Sequence, residues 1–260
     1  MRATLPRRRL IAGHGSGPRQ TGSVTAWRVV TWNILGAADP DLELIAARLR
    51  DRNPDVVALQ EVRRGQAKEL AKELGWHHMW RRKHYPYSPL VWWRAEGLAI
   101  MTPYALRSPS RVTLSVGEPI WVFRHRVMIG GTVERPLGSR LRLYNLHLAN
   151  HHADARIDQA RRAAAFIRKD QPAETPVVVC GDFNAELRTE VEVVRELHIV
   201  GVRDTGGEST NPSHAPQQRI DGVLAPENAT VTEVDTPDGD DEWRVLSDHL
   251  PVLAAFELSD

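Results

Sequence analysis

The chain has 260 residues with a formal net charge of +1, and 42% of its residues are hydrophobic against 26% charged. This composition is typical of a globular protein with a sizeable core, and the length excludes a mini-protein that needs disulfides or metals to fold. Because Cys180 is the single cysteine, an intramolecular disulfide is excluded, and we expect this residue to lie in the core. No apolar run approaches the roughly 20 residues that a membrane span needs.

The first 24 residues differ in composition from the rest of the chain. They contain five arginines and no acid, and four glycines and Pro18 interrupt any periodicity. The apolar stretch after Arg9 is only Leu10-Ile11-Ala12, which is too short for a secretory signal. We therefore predict a disordered basic tail at residues 1–24 and a cytoplasmic protein, with twin-arginine export as the alternative. Because no acid balances these arginines, residues 25–260 have a formal net charge of −4.

From Trp27 onward, short apolar runs alternate with segments of helical periodicity. The first part of this region predicts strands at residues 27–32, 55–60 and 76–80. Helical spacing of apolar residues predicts two helices, at residues 41–52 and 63–74. Pro54 follows the first of these helices and Gly75 the second, and both residue types are typical of helix ends.

The middle of the chain has strand-like segments with no room for helices between them, which favours antiparallel hairpins. These segments are at residues 98–101, 112–116, 120–133 and 141–148. Two further helices are predicted at residues 154–169 and 187–197. Further strands are predicted at residues 177–180, 220–224, 231–234 and 250–258. Such a mixture favours an α/β fold in which mixed sheets pack on each other with helices outside, formed by one domain at residues 25–260.

Polar residues stand at or near the ends of several predicted strands, where folds commonly build catalytic sites. They are Asn33, Glu61, His147, Asp182, Asn184, Asp221, Asp248 and His249. Oxygen ligands without thiolates suit Mg²⁺ or Mn²⁺ rather than zinc. A cation flanked by imidazoles and amides suits a phosphate ester, and Asp221 has the chemistry to orient His249.

Seven short motifs carry these residues. In chain order they are Thr31-Trp32-Asn33-Ile34, Leu59-Gln60-Glu61-Val62, Gly97-Leu98-Ala99-Ile100-Met101, Asn145-Leu146-His147-Leu148, Gly181-Asp182-Phe183-Asn184, Ile220-Asp221 and Ser247-Asp248-His249-Leu250-Pro251-Val252. Their order resembles that of the endonuclease/exonuclease/phosphatase superfamily over residues 27–258. The resemblance implies a four-layer α/β sandwich, with two packed mixed β-sheets flanked by helices.

The resemblance also implies roles for the polar residues. The metal ligands would be Glu61, Asn33 and Asp248. The catalytic residues would be Asp182 as the base for water, Asn184 and His249 at the phosphate, Asp221 paired with His249, and His147 as proton donor to the leaving oxygen. His147 is similar to a histidine of the deoxyribonuclease and sphingomyelinase branches. Leu35 departs from the abasic-site endonucleases, which have an acid at this position.

Residues 81–94 combine four positive charges and four aromatic residues with no acid. One interpretation is a substrate loop in which cations meet phosphates and aromatic rings stack on bases or enter a lipid interface. Its contact residues would be Arg81, Arg82, Lys83, Tyr85, Trp92 and Trp93. The alternative is a loop with buried aromatic rings and solvated charges. Arg126 alternates with Arg124 in a predicted strand, so it either contacts phosphate or, as we favour, lies on an exposed sheet face.

These features predict a Mg²⁺- or Mn²⁺-dependent phosphoesterase that cleaves a P–O bond by in-line attack of water. The substrate expected first is a phosphodiester, such as DNA, a phospholipid head group or a small diester. The alternatives are a phosphomonoesterase for a sugar or inositol phosphate, and a non-catalytic module that binds nucleic acid or membrane. We expect a monomer with no obligate protein partner.

Overall fold

A computed structural model of the chain describes residues 26–86, 89–121, 124–238 and 241–258. The tail at residues 1–24 lies outside these ranges, and so do the predictions of disorder and of twin-arginine export that concern it. The strands within them are β1 (Trp27–Asn33), β2 (Val56–Arg63), β3 (His77–Arg82), β4 (Glu96–Thr102), β5 (Ala105–Thr113), β6 (Val127–Glu134), β7 (Arg140–His147), β8 (Val177–Asp182), β9 (Val202–Asp204), β10 (Asp221–Pro226), β11 (Ala229–Asp235) and β12 (Val252–Leu258). The α-helices are α1 (Leu42–Arg52), α2 (Arg64–Leu74), α3 (Ala153–Asp170), α4 (Val191–His198) and α5 (Asp241–Arg244). None of these described helices is both long and apolar enough to cross a membrane.

The strands form two six-stranded sheets of mixed direction. The first sheet has the order β11-β12-β1-β2-β4-β3, and the second has the order β5-β6-β7-β8-β10-β9. Each sheet contains a parallel pair, β1 with β2 in the first and β7 with β8 in the second. The predicted antiparallel hairpins are present in the second sheet, where β5, β6 and β7 follow one another.

The two sheets pack face to face, and helices cover their outer faces, which confirms the predicted four-layer sandwich. Successive residues of β1 show this arrangement, since side chains alternate between the faces of a strand. Val29 packs between the sheets with Val178 of the second sheet. Val30 faces outward and packs with Ile45 of α1 and Leu70 of α2. A third cluster joins the second sheet to α3 and α4. Because both faces are covered, the central strands are apolar on both sides.

Two helix boundaries follow directly from local residues. The Asp41 carboxylate accepts a hydrogen bond from the backbone amide of Leu44 at 3.0 Å and caps α1. Gly75 ends α2 with a φ of 70°, a conformation that glycine adopts without steric cost.

The structure departs from the predicted elements at several places, among them the strand predicted at residues 112–116, which runs from Ala105 to Thr113. Of the predicted strand at residues 120–133, the described residues before Val127 lie outside any strand, and β6 begins at Val127, opposite the last residue of β5. Helix α4 begins at Val191 instead of Leu187, whose backbone amide donates to the carbonyl of Arg219 at 3.0 Å. The short edge strand β9 was not predicted.

Cys180 lies in β8 and is fully buried between the two sheets, as predicted. Burial raises the pKa of its thiol, since the thiolate would have to be desolvated. The residue is therefore a core side chain and an inert one.

Candidate active site

Polar side chains gather at the edge of the sandwich where the two parallel strand pairs end. In the first sheet, Asn33 at the end of β1 pairs in register with Gln60 of β2. In the second sheet, His147 at the end of β7 lies opposite Asp182 at the end of β8. Asp221 starts β10 opposite Asp182 on its other side. Because the sheets are stacked, these strand ends bring residues from distant parts of the chain within hydrogen-bond distance.

Asp182 is a buried carboxylate in the middle of this group. Its Oδ2 accepts a hydrogen bond from Nδ2 of Asn33 at 3.1 Å, and its Oδ1 accepts one from the backbone amide of Asn184 at 2.9 Å. Nε2 of His147 lies 3.5 Å from the same Oδ2. Burial, together with the negative charge of Asp221, raises the pKa of Asp182 to about 7. Without a bound cation, this carboxylate therefore exchanges a proton near neutral pH.

Gly181 is what allows β8 to approach β7 so closely next to Asp182. Its φ is 144°, and a Cβ at this position would collide with the carbonyl oxygen of Leu146. Only glycine fits this backbone conformation and this space. The residue therefore contributes to the position of the Asp182 carboxylate without any side chain of its own.

Asp221 and His249 form a buried pair beside Asp182. Oδ2 of Asp221 lies 2.8 Å from Nδ1 of His249, and the hydroxyl of Thr210 donates to the same oxygen at 2.7 Å. Burial alone would lower the pKa of His249, but the charge and hydrogen bond of Asp221 outweigh it and raise that pKa to about 10. The imidazole is therefore a cation at neutral pH, oriented by its carboxylate.

Glu61 lies on the first-sheet side of the site, at a β-bulge. The register of β2 with β4 shifts between Leu59 and Val62, and Glu61 has a φ of 53°. A bulge changes the direction of a side chain relative to the regular strand. Oε1 of Glu61 lies 3.9 Å from Nδ1 of His147, whose other nitrogen is near Asp182. His147 therefore stands between the acids of the two sheets.

Lys83 was expected to contact substrate, and the structure places it against Glu61. Its Nζ lies 3.5 Å from Oε1 of Glu61 and 3.5 Å from Oε2 of Glu96, and only 4% of its side chain is exposed. Burial raises the pKa of Glu96, and the charge of Lys83 opposes that effect. A buried ammonium thus already balances the two glutamates on this side of the site.

His147 is buried in surroundings that keep it neutral. Burial first, and then the charges of Lys83 and Arg126, lower its pKa well below the usual value. Its Nδ1 has no hydrogen-bond partner among the described residues. A neutral imidazole is a weak acid, so these surroundings favour a hydrogen-bonding role over the predicted proton donation.

Arg126 and Asn184 converge on one backbone carbonyl, that of Leu148. Nε of Arg126 donates to it at 2.9 Å, and Nδ2 of Asn184 donates at 3.0 Å. Arg126 is 3% exposed, so the favoured interpretation as a residue on an exposed sheet face is wrong. It precedes β6 instead of lying within it, and its loop turns inward. Burial lowers the pKa of this guanidinium, and the charges of Asp182 and Glu61 raise it.

Asp248 stands apart from the other predicted metal ligands, Glu61 and Asn33. It is exposed, and its carboxylate accepts a long hydrogen bond of 3.5 Å from Ser247. The tight group of possible ligand atoms is a different one. It consists of Asp182, Asp221 and His249, whose donor atoms lie within 4.8 Å of one another.

The basic and aromatic segment at residues 81–94 is part buried and part exposed. The Arg82 guanidinium stacks over the ring of Tyr85 at 3.8 Å. Trp92 and Trp93 are each 56% exposed, so the alternative in which the aromatic rings are buried is wrong for these two. Arg81 is also exposed and lies beyond the site, on the side of β3. The exposed indoles have the stacking surface that a substrate loop needs.

Three buried hydrogen bonds under the site involve residues that were not assigned a role from the sequence. The Ser247 hydroxyl donates to the carbonyl of Asn33 at 2.6 Å and accepts from the amide of His249 at 3.1 Å. Nε2 of Gln60 donates to Oδ1 of Asn145 at 2.8 Å, from one sheet to the other. The signal was available, since all of these residues belong to the motifs given above.

Comparisons with known proteins agree with this arrangement. The model of the Endonuclease/Exonuclease/phosphatase family matches residues 30–249. The endonuclease/exonuclease/phosphatase from Bacteroides vulgatus has a TM-score of 0.74 and 21% identity, covering 90% of this chain and 100% of that one. The human Nocturnin catalytic domain with bound sulfate has a TM-score of 0.71 and 22% identity, with coverage of 90% and 95%. The mannosyl-6-phosphatase of Bacteroides thetaiotaomicron has a TM-score of 0.67 and 16% identity, with coverage of 88% and 99%. No curated protein matches the chain significantly.

Proposed function

The chain belongs to the endonuclease/exonuclease/phosphatase family, and on that premise we propose that it is a divalent-metal-dependent phosphoesterase whose substrate is a phosphodiester. One observation carries the proposal. The buried carboxylate of Asp182 lies within 4.8 Å of His249, whose other side is held by the carboxylate of Asp221 at 2.8 Å. Such a pair supplies both a base for water and a positive charge for a phosphoryl oxygen.

The donor set fits a hard divalent cation. Carboxylate and amide oxygens dominate the site, and Oδ1 of Asp221 is buried with no hydrogen-bond partner among the described residues. Glu61 and Asn33 would hold the ion from the first sheet, and Asp182 from the second. Bound there, Mg²⁺ or Mn²⁺ would neutralise negative charge that develops on the phosphate. Asp248 is a weaker candidate ligand than the sequence predicted, because it is exposed.

The side chains of the protein divide the remaining work. Asp182 accepts a proton from the attacking water, because its carboxylate lies in the middle of the site and is held in place by Asn33 and the backbone amide of Asn184. His249 presents a positive charge to the phosphate and is held in orientation by Asp221. His147, which is neutral, lies between Glu61 and Asp182, with one ring nitrogen facing each carboxylate. The exposed rings of Trp92 and Trp93 contact the part of the substrate beyond the phosphate.

The diester is preferred to a monoester for two reasons. The resemblance of His147 to the deoxyribonuclease and sphingomyelinase branches favours it. The exposed Trp92 and Trp93, a few residues before Glu96 in the chain, offer contacts to a large group on the second ester oxygen, which a monoester lacks. A phosphomonoesterase and a non-catalytic binding module are the alternatives that the experiment below distinguishes.

The test is hydrolysis of a panel of phosphate esters with Mg²⁺, with Mn²⁺ and with EDTA. The panel contains plasmid DNA, abasic duplex, sphingomyelin, inositol phosphates and a chromogenic diester. We expect metal-dependent turnover of a diester. Glu61→Gln and His249→Ala should each lower the rate by on the order of 10²-fold. Glu257→Gln and His198→Ala change the same residue types at exposed positions away from the site and serve as matched controls.

Three outcomes count against the proposal. Rates of the Glu61 and His249 variants that equal those of their controls would contradict the assignment of the site. Faster turnover of monoesters than of diesters would favour the phosphomonoesterase. Absence of turnover together with absence of Mg²⁺ and Mn²⁺ binding by calorimetry would favour the non-catalytic module.

A further inference from the structure

A groove of about 750 Å³ lies on the side of the sandwich where edge strands β3 and β5 of the two sheets approach each other. Helix α2 forms its third wall. The charged and titratable residues that line it are all basic, namely Arg64, Lys68, His77, His78, Arg81 and Arg107. Of the described residues that line the groove, none is a carboxylate.

The cations of this groove are poorly balanced by acids. Within the described part of the chain, no ion pair joins Arg64, Lys68 or Arg81 to a carboxylate. Arg107 is paired with Glu134, but the distance is 3.7 Å and the side chain of Arg107 is 68% exposed. Such an exposed pair contributes little and leaves most of the charge available.

The same positive charge continues from the groove towards the catalytic site. Burial, followed by the charges of Arg81 and Arg82, lowers the pKa of Arg111 on β5, so these three cations are close together. Arg82 is followed directly by Lys83, which contacts Glu61. A strip of cations therefore runs from the groove to the neighbourhood of the site, where its last member, Lys83, is paired with Glu61 and Glu96.

The shape and the charge of this strip select one kind of ligand. A flat lipid bilayer cannot enter a recess between two sheet edges, whereas a flexible chain can lie along it. Regularly spaced phosphates would relieve the mutual repulsion of the cations. The strip is also opposite in sign to the rest of the described body, since residues 25–260 have a net charge of −4.

We propose that the groove between α2, β3 and β5 is a second anion-binding site, which holds the phosphodiester backbone of a nucleic acid strand outside the catalytic centre. The inference rests on the proposed phosphodiesterase activity, and it names nucleic acid as the substrate class of that activity. Binding itself does not require turnover. The proposal of nucleic acid binding in the groove and the proposal of phosphodiester hydrolysis can therefore fail separately.

The test measures binding of a fluorescein-labelled 20-nucleotide DNA strand by anisotropy, using the full chain in EDTA so that cleavage does not interfere. The groove variant is Lys68→Glu with Arg107→Glu, which reverses one charge on each of two walls. The control variant is Arg168→Glu with Arg195→Glu, which changes the net charge equally on exposed positions of α3 and α4. Thermal melting establishes that both variants are folded.

We expect the groove variant to bind at least about tenfold more weakly at low salt, with the control within about twofold of the unchanged chain. The magnitude of the slope of log affinity against log salt should fall by about 1.4, because two phosphate contacts are lost and each contributes about 0.7 for a single strand. Equal weakening in both variants would overturn the proposal, since net charge would then explain it. If neither variant bound DNA more weakly, the proposal would also be overturned. The cations would then serve to protect the two edge strands from pairing with other chains. Stronger binding to phosphatidylserine vesicles than to DNA would identify a membrane as the partner instead.

Discussion

Replacing Asp221 by asparagine removes the charge that keeps His249 protonated. The side chain of Asp221 is fully buried and that of His249 is 8% exposed, so solvent screens their contact at 2.8 Å very little. With the carboxylate present, the pKa of His249 is about 10. Without it, burial dominates, and we expect this pKa to fall below the ordinary value of about 6.5. The imidazole of the variant is then mostly neutral at pH 7.

The magnitude follows from the burial of the pair. Loss of one partner of a buried ion pair costs about 3–5 kcal/mol, because the other group must then either remain as an unpaired buried charge or give up its proton. The folded-state pKa of His249 is raised above its unfolded value, so the stabilisation is fully present below about pH 6.5 and is lost as the pH rises through about 10. The difference in unfolding free energy between the two proteins should therefore be largest near pH 6 and shrink towards pH 10.

The direct assay is a titration of the His249 ring resonances by NMR in EDTA, in the unchanged chain and in Asp221→Asn. Thr210→Val is the control, because it removes a neutral hydrogen bond to Asp221 and leaves the carboxylate charged. The control should shift the pKa of His249 far less than Asp221→Asn does. A pKa below 8 in the unchanged chain, or equal values in the chain and Asp221→Asn, would refute the reasoning.

Two further predictions concern the strand β8. Asp182→Asn should raise the unfolding free energy above pH 7 by on the order of 1 kcal/mol, because burial and Asp221 raise the pKa of Asp182 and so disfavour its charged form in the folded protein. This gain in unfolding free energy should vanish below about pH 4, and the rate of hydrolysis should fall at least 10²-fold. Urea unfolding of the metal-free variant at pH 4 and pH 8 tests the stability effect. A lower unfolding free energy than that of the unchanged chain at pH 8 would contradict it. Gly181→Ala should destabilise the protein by about 3 kcal/mol or more, since its Cβ meets the backbone of Leu146. Gly201→Ala has a φ of 72° but open space around it, so it should cost only about 1 kcal/mol, and equal melting temperatures for the two variants would argue against the collision.

Local sequence features were sufficient to predict most of the secondary structure. The cap at Asp41 and the glycine at position 75 act on their own neighbours in the chain, so the limits of α1 and α2 are readable without a fold. Strands that are apolar on both faces indicated sheets that are covered on both faces. The polar residues at the strand ends were readable for the same reason, because they interrupt apolar runs.

The properties of the candidate site depend on contacts that no local pattern contains. Asn33 and Asp182 are 149 positions apart and meet only because two sheets stack. Arg126 immediately precedes β6, and its side chain is buried against the carbonyl of Leu148 instead of lying on an exposed sheet face. Lys83 lies in a basic and aromatic segment whose composition is typical of a substrate contact. The bulge at Glu61 nevertheless places a carboxylate beside its ammonium group. The pKa values of His249 and Asp182 have the same origin, since burial and neighbouring charge are set by packing between segments distant in the sequence.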